Sequence, residues 1–330
     1  MLSRSIFGAA LLALAATPVL AGSLGVWDLP TQSFGKPTEH FVKPLTITEQ
    51  TIYMRPGTGV ADLKAALATA QQTGTHLVLD IAPLPKAAMQ RGSNVFSLPL
   101  WKAAMNYWCQ MSTSGRPQCF DFSPYIKNGT LLALWVRETP TNATDPGLRD
   151  RSKPSLADIQ QMAAYTKQLF PGVKVAVDMV LPCYLTTAGS RANIDIVMFE
   201  ISTRDALTNV TGCNGTTYAT GYQFVTAQTG MMRAAGLQYT LGMPVEFGGS
   251  KPAHASLASF KYYAELAAQD PNALGFLPWL YADPNQTTVS NGVGNWPNFW
   301  NEQANPGVTA AVQEVQTCFS GGACPSAPKS

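Results

Sequence analysis

The sequence predicts an α/β fold in which eight parallel strands close into a (β/α)8 TIM barrel, arranged as a single domain with disulfide-stapled insertions. Eight short apolar runs are spread along the chain, and most are separated by stretches with helical spacing. Most of the runs are hydrophobic along their whole length, which is typical of parallel strands covered on both faces. A chain of 330 residues suits one barrel of this kind with insertions.

The eight apolar runs define the predicted strands. They cover residues 24–29, 51–55, 76–82, 130–138, 173–181, 194–201, 238–247 and 273–281. An open, doubly wound sheet is the alternative arrangement of the same elements. It is disfavoured because the first strand is not followed by Gly-x-Gly-x-x-Gly and the chain has no Gly-x-x-x-x-Gly-Lys-Ser/Thr loop. The sequence therefore has no recognisable phosphate-binding loop for a nucleotide cofactor.

Helical patterns fill most of the connections between these strands. Residues 59–74 carry small and apolar residues on one face, and Ser155 followed by Asp158 predicts a capping box at the start of another helix. Further helices are predicted at 220–235, 255–268 and 307–318. No helix is predicted at 182–193, where turn-forming residues predominate.

The composition argues for a folded, exported protein and against nucleic-acid binding. Hydrophobic residues make up 46% of the chain and charged residues 13%, a balance that excludes charge-driven disorder and is typical of extracellular surfaces. The formal net charge is +2, and no cluster of Lys and Arg provides a phosphate-binding surface. We therefore expect no nucleic-acid partner.

The first 21 residues have the features of a signal peptide. Arg4 precedes an apolar run, and small residues lead to a cleavage site near Ala21. A membrane anchor is the alternative, although the run is shorter than the ~20 residues that span a bilayer. We expect a signal peptide at 1–21, a barrel domain at 22–320 and a disordered tail at 321–330. The mature protein would be a secreted or periplasmic monomer, free of the membrane.

Six cysteines in an exported chain favour three disulfides. Six thiols allow 15 pairings. Proximity along the chain favours Cys109 with Cys119, Cys183 with Cys213, and Cys318 with Cys324. A zinc site is the rival interpretation, but the chain has no Cys-x-x-Cys and its three histidines are scattered. We predict no metal and no organic cofactor.

Carboxylates stand at the ends of several predicted strands. In a parallel barrel these ends converge on the face where active sites are found. The residues concerned are Asp80, Glu138, Glu200 and Glu246, with Asp283 just beyond the eighth strand and Asp178 nearer the middle of its own. One interpretation is structural, with each carboxylate capping a helix or pairing with a cation. The other is acid–base catalysis on a glycosidic bond, which requires two carboxyl groups from different strands facing each other across a sugar.

Alternation along a strand predicts which residues share a face with two of these carboxylates. Leu132, Leu134 and Val136 would lie on the same face as Glu138, and Thr240, Gly242 and Pro244 on the same face as Glu246.

The segments "WVRETP", "GMPVEFGG" and "FLPWLY" resemble the fourth, seventh and eighth strand ends of the clan of retaining glycoside hydrolases with (β/α)8 barrels. The resemblance implies that Glu138 is the acid/base, Glu246 the nucleophile and Trp279 a platform for the sugar. The chain departs from the pattern at Arg137, where the clan has Asn, and at Thr139, which separates Glu138 from the following proline.

These features predict an exported glycoside hydrolase-like protein that cleaves O-glycosidic bonds of an oligo- or polysaccharide. We expect the carbohydrate to be bound by Trp279, Tyr281, Arg137, Asp80 and Glu200. In a variant of this hypothesis, Glu200 replaces Glu246 as the nucleophile.

A non-catalytic barrel that binds a carbohydrate or a surface partner is the alternative of another class. Arg137 supports it, because a permanent cation beside Glu138 favours the ionised carboxylate. The segment "DFSPYIKNGTLLALWVRETP" is also similar to exported bacterial barrel proteins without an established activity.

Overall fold

A computed structural model describes residues 22–27, 29, 31–37, 41–52, 59–81, 95–111, 117–138, 154–179, 181–201, 209–213, 215–244, 256–279 and 305–324. The predicted signal peptide lies outside the described residues. Of the predicted tail, residues 321–324 are described and residues 325–330 are not.

The described strands form one barrel and two hairpins. They are β1 (Ser23–Trp27), β2 (Ile47–Thr51), β3 (His76–Asp80), β4 (Cys109–Met111), β5 (Pro117–Cys119), β6 (Leu131–Glu138), β7 (Val175–Met179), β8 (Ile196–Glu200), β9 (Val210–Thr211), β10 (Thr217–Tyr218), β11 (Gln238–Pro244) and β12 (Ala273–Trp279). The order β1-β2-β3-β6-β7-β8-β11-β12 closes back onto β1, and every neighbouring pair is parallel. The predicted barrel is confirmed, and the open sheet is excluded.

The second strand is displaced from its predicted position. It covers Ile47–Thr51 rather than 51–55, so the two ranges share one residue. The polar residues of this strand have partners inside the fold: the Thr48 hydroxyl donates to the Val26 carbonyl at 2.7 Å and accepts from the Leu29 N–H at 3.3 Å. Such side chains can be buried in a strand because these bonds offset the loss of water. The other seven predicted strands overlap the observed ones.

The helices described by the structure surround the barrel. They are α1 (Gly59–Thr73), α2 (Leu98–Met105), α3 (Ser123–Lys127), α4 (Leu156–Leu169), α5 (Gly221–Ala234), α6 (Leu257–Gln269) and α7 (Val308–Phe319). All five predicted helices are confirmed, and the short α2 and α3 were not predicted. The capping box is also present, because the Ser155 hydroxyl accepts from the Asp158 N–H and the Asp158 carboxylate accepts from the Ser155 N–H. A 3-10 turn, Pro182–Leu185, lies between β7 and β8, where no helix was predicted.

All six cysteines are paired as predicted. Cys109 and Cys119 join β4 to β5 within the insertion between β3 and β6. Cys183 and Cys213 join the turn after β7 to the β9–β10 hairpin, and Cys318 and Cys324 close a short loop after α7. Each of these crosslinks fastens a segment outside the ring of barrel strands, which confirms the stapled insertions.

Two apolar cores lie on the two faces of the barrel wall. The larger core fills the space between strands and helices, and it includes the fully buried Trp101 and Trp108 of the insertion. The smaller core fills the barrel interior with residues such as Ile47, Val78 and Ile196. Strands covered on both faces explain why their sequences are continuously apolar. In the part of the chain that the structure describes, no helix combines the length and hydropathy of a membrane span.

Candidate active site

The inner faces of four barrel strands share one pattern, in which an apolar residue is followed two positions later by a carboxylate. Because alternate residues of a strand share a face, both members of each pair face the barrel interior. The pairs are Ile47 and Glu49 on β2, Val78 and Asp80 on β3, Ala176 and Asp178 on β7, and Met198 and Glu200 on β8. The apolar members fill the interior core, and the carboxylates lie nearer the carboxyl ends of the strands. We call this end of the barrel the mouth.

The four carboxylates differ in exposure. Glu49 and Asp178 are each 1% exposed, whereas Asp80 and Glu200 are the last residues of their strands and are partly exposed. The Thr51 hydroxyl lies 3.5 Å from Glu49 Oε1, to which it can donate. The interior thus has two buried acidic side chains and two at its rim, and a buried carboxylate needs such polar contacts to offset the loss of water.

An irregularity in β6 shifts the register between β6 and β7 just before Glu138. Trp135 pairs with Ala176, but Glu138 pairs with Asp178, so two residues of β6 lie opposite one residue of β7. This is the geometry of a β-bulge, which re-aims the residues that follow it. Leu134 and Val136 belong to the outer core, whereas Leu132 packs against the interior one, so simple alternation does not hold along β6. The bulge aligns the backbone of position 138 with Asp178, and the face of the Glu138 side chain stays a prediction.

Two tryptophans lie among the interior carboxylates. Trp27 is in register with Glu49, and Trp135 is in register with Asp80. Their ring centroids are 6.0 Å apart at an interplanar angle of 74°, an edge-to-face contact that fixes both rings.

The polar groups of the barrel strands that lack a hydrogen-bond partner among the described residues include two beside the interior core. These two are the Trp135 indole N–H, whose nitrogen is buried, and the hydroxyl of Thr240, which is 1% exposed. Buried polar groups nearly always form hydrogen bonds. The indole N–H and the hydroxyl group could therefore form theirs with a polar ligand or an ordered water molecule in the interior.

The predicted site residues fall into two groups. Asp80, Glu138 and Glu200 are the final residues of β3, β6 and β8, and Trp279 is the final residue of β12, in register with Pro244 of β11. Arg137 precedes Glu138 within the irregular part of β6. Glu246 and Tyr281 lie outside the described residues, so their predicted roles stay predictions.

Glu49 was not predicted as a site residue, and Asp178 was noted only as a mid-strand acid. Glu49 was missed because the second strand was placed too late in the chain. The signal was available in the sequence, since Ile47, Glu49 and Thr51 alternate with Thr48 and Gln50. Asp178 lies one residue before the end of β7, and the register with β6 brings it opposite position 138. Among the described residues, no group of three or more His, Cys, Asp or Glu is arranged to hold a metal ion.

The closed eight-stranded barrel, with carboxylates lining one end, is a TIM barrel, and its fold is similar to that of solved glycoside hydrolases. A GH5 cellulase affiliated with Bacteroidetes and linked with a polysaccharide utilization locus matches with a TM-score of 0.52 and 11% identity, over 91% of this chain and 92% of that chain. GH10 from Paenibacillus barcinonensis matches with a TM-score of 0.52 and 11% identity, over 91% of this chain and 97% of that chain.

A thermostable and halotolerant GH5 cellulase from an Icelandic hot spring isolate gives a TM-score of 0.50 at 12% identity, over 94% of this chain and 90% of that chain. At such low identity the likeness establishes the fold and not the activity. The sequence matches no family model and no curated protein.

Proposed function

We propose that this protein is a glycosidase that cleaves O-glycosidic bonds of an oligo- or polysaccharide with two carboxylates. The observation that carries the proposal is the position of Glu138, which ends β6 in register with the interior residue Asp178. The inner-face carboxylates of the neighbouring strands give the mouth the acidic, hydrogen-bonding character of a sugar site. Glycosidases use this chemistry because the reaction needs one carboxyl group on each side of the scissile bond.

In the proposed mechanism, Glu138 and Glu246 divide the chemistry between them. Glu138 donates a proton to the leaving oxygen while Glu246 attacks the anomeric carbon, which gives a covalent glycosyl-enzyme. Glu138 then takes a proton from water as that water attacks the anomeric carbon and releases Glu246. Two displacements at one carbon retain its configuration.

The strand order supports this pairing of roles. β11 ends at Pro244, two residues before Glu246, and Pro244 is in register with Trp279 of β12. A nucleophile after β11 and an aromatic platform after β12 would therefore lie side by side. An aromatic ring suits the apolar face of a sugar, and Asp80 and Glu200 at the rim can accept hydrogen bonds from sugar hydroxyl groups.

The direct test replaces each proposed catalytic carboxylate by its amide. Glu138→Gln and Glu246→Gln are expected to lower kcat on a panel of aryl glycosides by about 10² to 10⁴-fold, since each removes a proton donor or the nucleophile. Glu314→Gln is the matched control, because Glu314 lies on α7, is 47% exposed and forms a surface ion pair with Lys261. Unchanged turnover in both mouth variants would overturn the assignment.

A third variant separates the two candidates for the nucleophile. If Glu246 is the nucleophile, Glu200→Gln should mainly raise KM, because its carboxylate only binds a sugar hydroxyl. Loss of kcat in Glu200→Gln with normal kcat in Glu246→Gln would transfer the nucleophilic role to Glu200.

A carbohydrate-binding barrel without catalysis is the second candidate, and Arg137 is the observation that favours it. A guanidinium next to Glu138 would hold that carboxyl in its ionised form, which cannot donate a proton. Calorimetric binding of an oligosaccharide with no product after days of incubation would support this function over the first.

The three disulfides fit a compartment outside the cytosol, because such crosslinks persist in oxidising environments. We propose export by way of the predicted signal peptide. Sequencing the amino terminus of the natively produced protein should give a start near residue 22, and a start at Met1 would contradict it.

A further inference from the structure

A second candidate binding site lies on the outer surface, between α5 and α6 and beside the β9–β10 hairpin. It is a groove of about 510 Å³ that we call the tyrosine groove. Three partly exposed tyrosines line it, together with polar side chains and one alanine. The aromatic residues are Tyr218, Tyr222 and Tyr262, and the polar ones are Thr220, Gln223 and Thr226. Its volume falls in the range of small-molecule sites, about 300 to 1,000 Å³.

The aromatic rings of the tyrosine groove are held in place by their neighbours. The Tyr262 and Thr226 hydroxyl oxygens are 2.6 Å apart, and those of Tyr222 and Ser259 are 3.0 Å apart. The Tyr222 and Tyr262 rings meet edge to face with centroids 4.6 Å apart. A ligand would find these rings already ordered, which lowers the entropic cost of binding.

The hairpin side of the groove is also fixed. The Tyr218 ring packs edge to face against the buried Phe224 of α5, with centroids 5.8 Å apart. Its hairpin is crosslinked to the turn after β7 by Cys183 and Cys213. Side chains from two helices and one crosslinked hairpin therefore converge on a single rigid surface.

The chemistry of the lining favours a neutral polyhydroxylated ligand. None of the residues that line the groove carries a charge, so an acidic or basic peptide would find no ionic partner there. Tyrosine rings offer flat surfaces to the apolar faces of sugars, and their hydroxyl groups can exchange hydrogen bonds at the ring edge. The exposed Gln223 has an amide that can donate to a sugar hydroxyl, while its Oε1 accepts from the Ala219 N–H at 3.2 Å.

The tyrosine groove is separate from the barrel interior. Tyr222 and Tyr262 lie at the contact between α5 and α6, whereas Phe224 and Tyr263 on the same helices are fully buried in the core against the barrel wall. A ligand in the groove would thus be divided from the mouth by this layer of side chains and by the strands.

We propose that the tyrosine groove is a surface binding site for a neutral polysaccharide, independent of the chemistry in the barrel. It would hold the protein on a polymer while the mouth remains open to another segment of chain. Binding at this site requires no catalysis, so this proposal can be correct or wrong independently of the proposed glycosidase activity.

Affinity electrophoresis through gels that contain hydroxyethylcellulose, xylan, glucomannan or soluble starch tests the proposal. At least one of these neutral polymers should retard the full-length protein, and Tyr218→Ala or Tyr262→Ala should weaken its apparent affinity by roughly three- to tenfold. Gln223→Ala is a milder variant on an exposed helix position and should give a smaller loss without risk to folding.

Tyr165→Ala is the matched control. Tyr165 is a partly exposed helical tyrosine whose hydroxyl donates to Asn106 at 2.7 Å and whose ring packs on Trp101. The Tyr165→Ala variant should be retarded by the polymers as strongly as the unmodified protein.

Two further readouts keep the groove and the mouth distinct. Groove variants should keep full turnover of a small aryl glycoside, and Trp279→Ala should keep its retardation by polymer. Polymer binding that is lost in Trp279→Ala but unchanged in all groove variants would overturn the proposal and leave the glycosidase intact. If polymer retards the protein through the groove residues but the protein turns over no glycoside, the binding proposal is supported and the glycosidase is rejected. Equal migration of all variants with every polymer would also overturn it.

Discussion

Asp178 is the residue that the structure adds most directly to the proposed chemistry. It is 1% exposed and stands in register with Glu138 on the adjacent strand. A general acid must hold its proton until the glycosidic oxygen needs it, and a nearby negative charge makes a carboxyl group keep its proton more firmly. An ionised Asp178 would therefore oppose the effect expected of Arg137.

Replacing Asp178 should change the pH dependence of the proposed activity. If Glu138 is the general acid that we propose and Asp178 is ionised, Asp178→Asn removes a negative charge from the position opposite Glu138 on the next strand, and Glu138 should then lose its proton at lower pH. Activity falls at high pH when the general acid is ionised, so the alkaline limb of the profile of kcat/KM should move to lower pH. An unmoved limb, in a variant that is folded by circular dichroism, would show that Asp178 does not act on the acid. Glu314→Gln again serves as the control.

At the scale of elements, β6 shows which features of a strand a sequence can predict. The apolar run from Leu131 to Val136 identifies the strand, because parallel strands covered on both faces are usually apolar along most of their length. The bulge between Trp135 and Glu138 depends on the register with β7, a contact between residues distant in sequence. Local alternation cannot predict this bulge, so the prediction for the face of Glu138 rested on an alternation that the bulge interrupts.

The position of β2 was predicted wrongly for a related reason. Its inner face carries Ile47 and Glu49, and its outer face carries Thr48, so the strand is not continuously apolar. Polar side chains in a strand are acceptable only when the rest of the fold supplies their partners. The partners of Thr48 are Val26 on β1 and Leu29 just after it, which are 22 and 19 residues away along the chain.

Two glycines in different elements predict opposite effects of the same substitution. A Cβ on Gly25 of β1 would lie 1.8 Å from the Ile47 carbonyl oxygen, whereas one on Gly230 of α5 would meet nothing within 4 Å. Gly25→Ala should lower the free energy of unfolding by about 3 kcal/mol or more, because the barrel wall must move. Gly230→Ala should raise it by about 0.5 to 1 kcal/mol through helix propensity. Urea unfolding measures both changes, and equal values would contradict this view of the barrel wall.

At the scale of the whole molecule, closure of the barrel brings distant parts of the chain together. β1 pairs with both β2 and β12, and the Gln316 amide of α7 bonds to the backbone near Val42 and Lys43. The eight-stranded barrel could be predicted because each element carries its own pattern. The inner carboxylates could be predicted only where the strand itself was placed in the right part of the chain, as for Asp80 and Glu200.

The disulfides should contribute to stability in order of loop length. Cys183 and Cys213 are 30 residues apart, and Cys318 and Cys324 are six apart. Loop-closure entropy predicts losses of about 3.6 and about 2 kcal/mol when each pair is replaced by serine. Denaturant unfolding of the two double variants tests this order, and a larger loss from the shorter loop would contradict the entropic account.

The central claim is that Glu138 and Glu246 face each other across one sugar-sized space at the mouth of the barrel. A crystal structure that resolves both side chains measures this directly as the distance between their carboxyl groups. The account predicts about 5 to 5.5 Å, the separation that retaining glycosidases use. A separation of about 6.5 to 9.5 Å would contradict retention, and carboxyl groups farther apart or on opposite faces of the wall would contradict a catalytic pair.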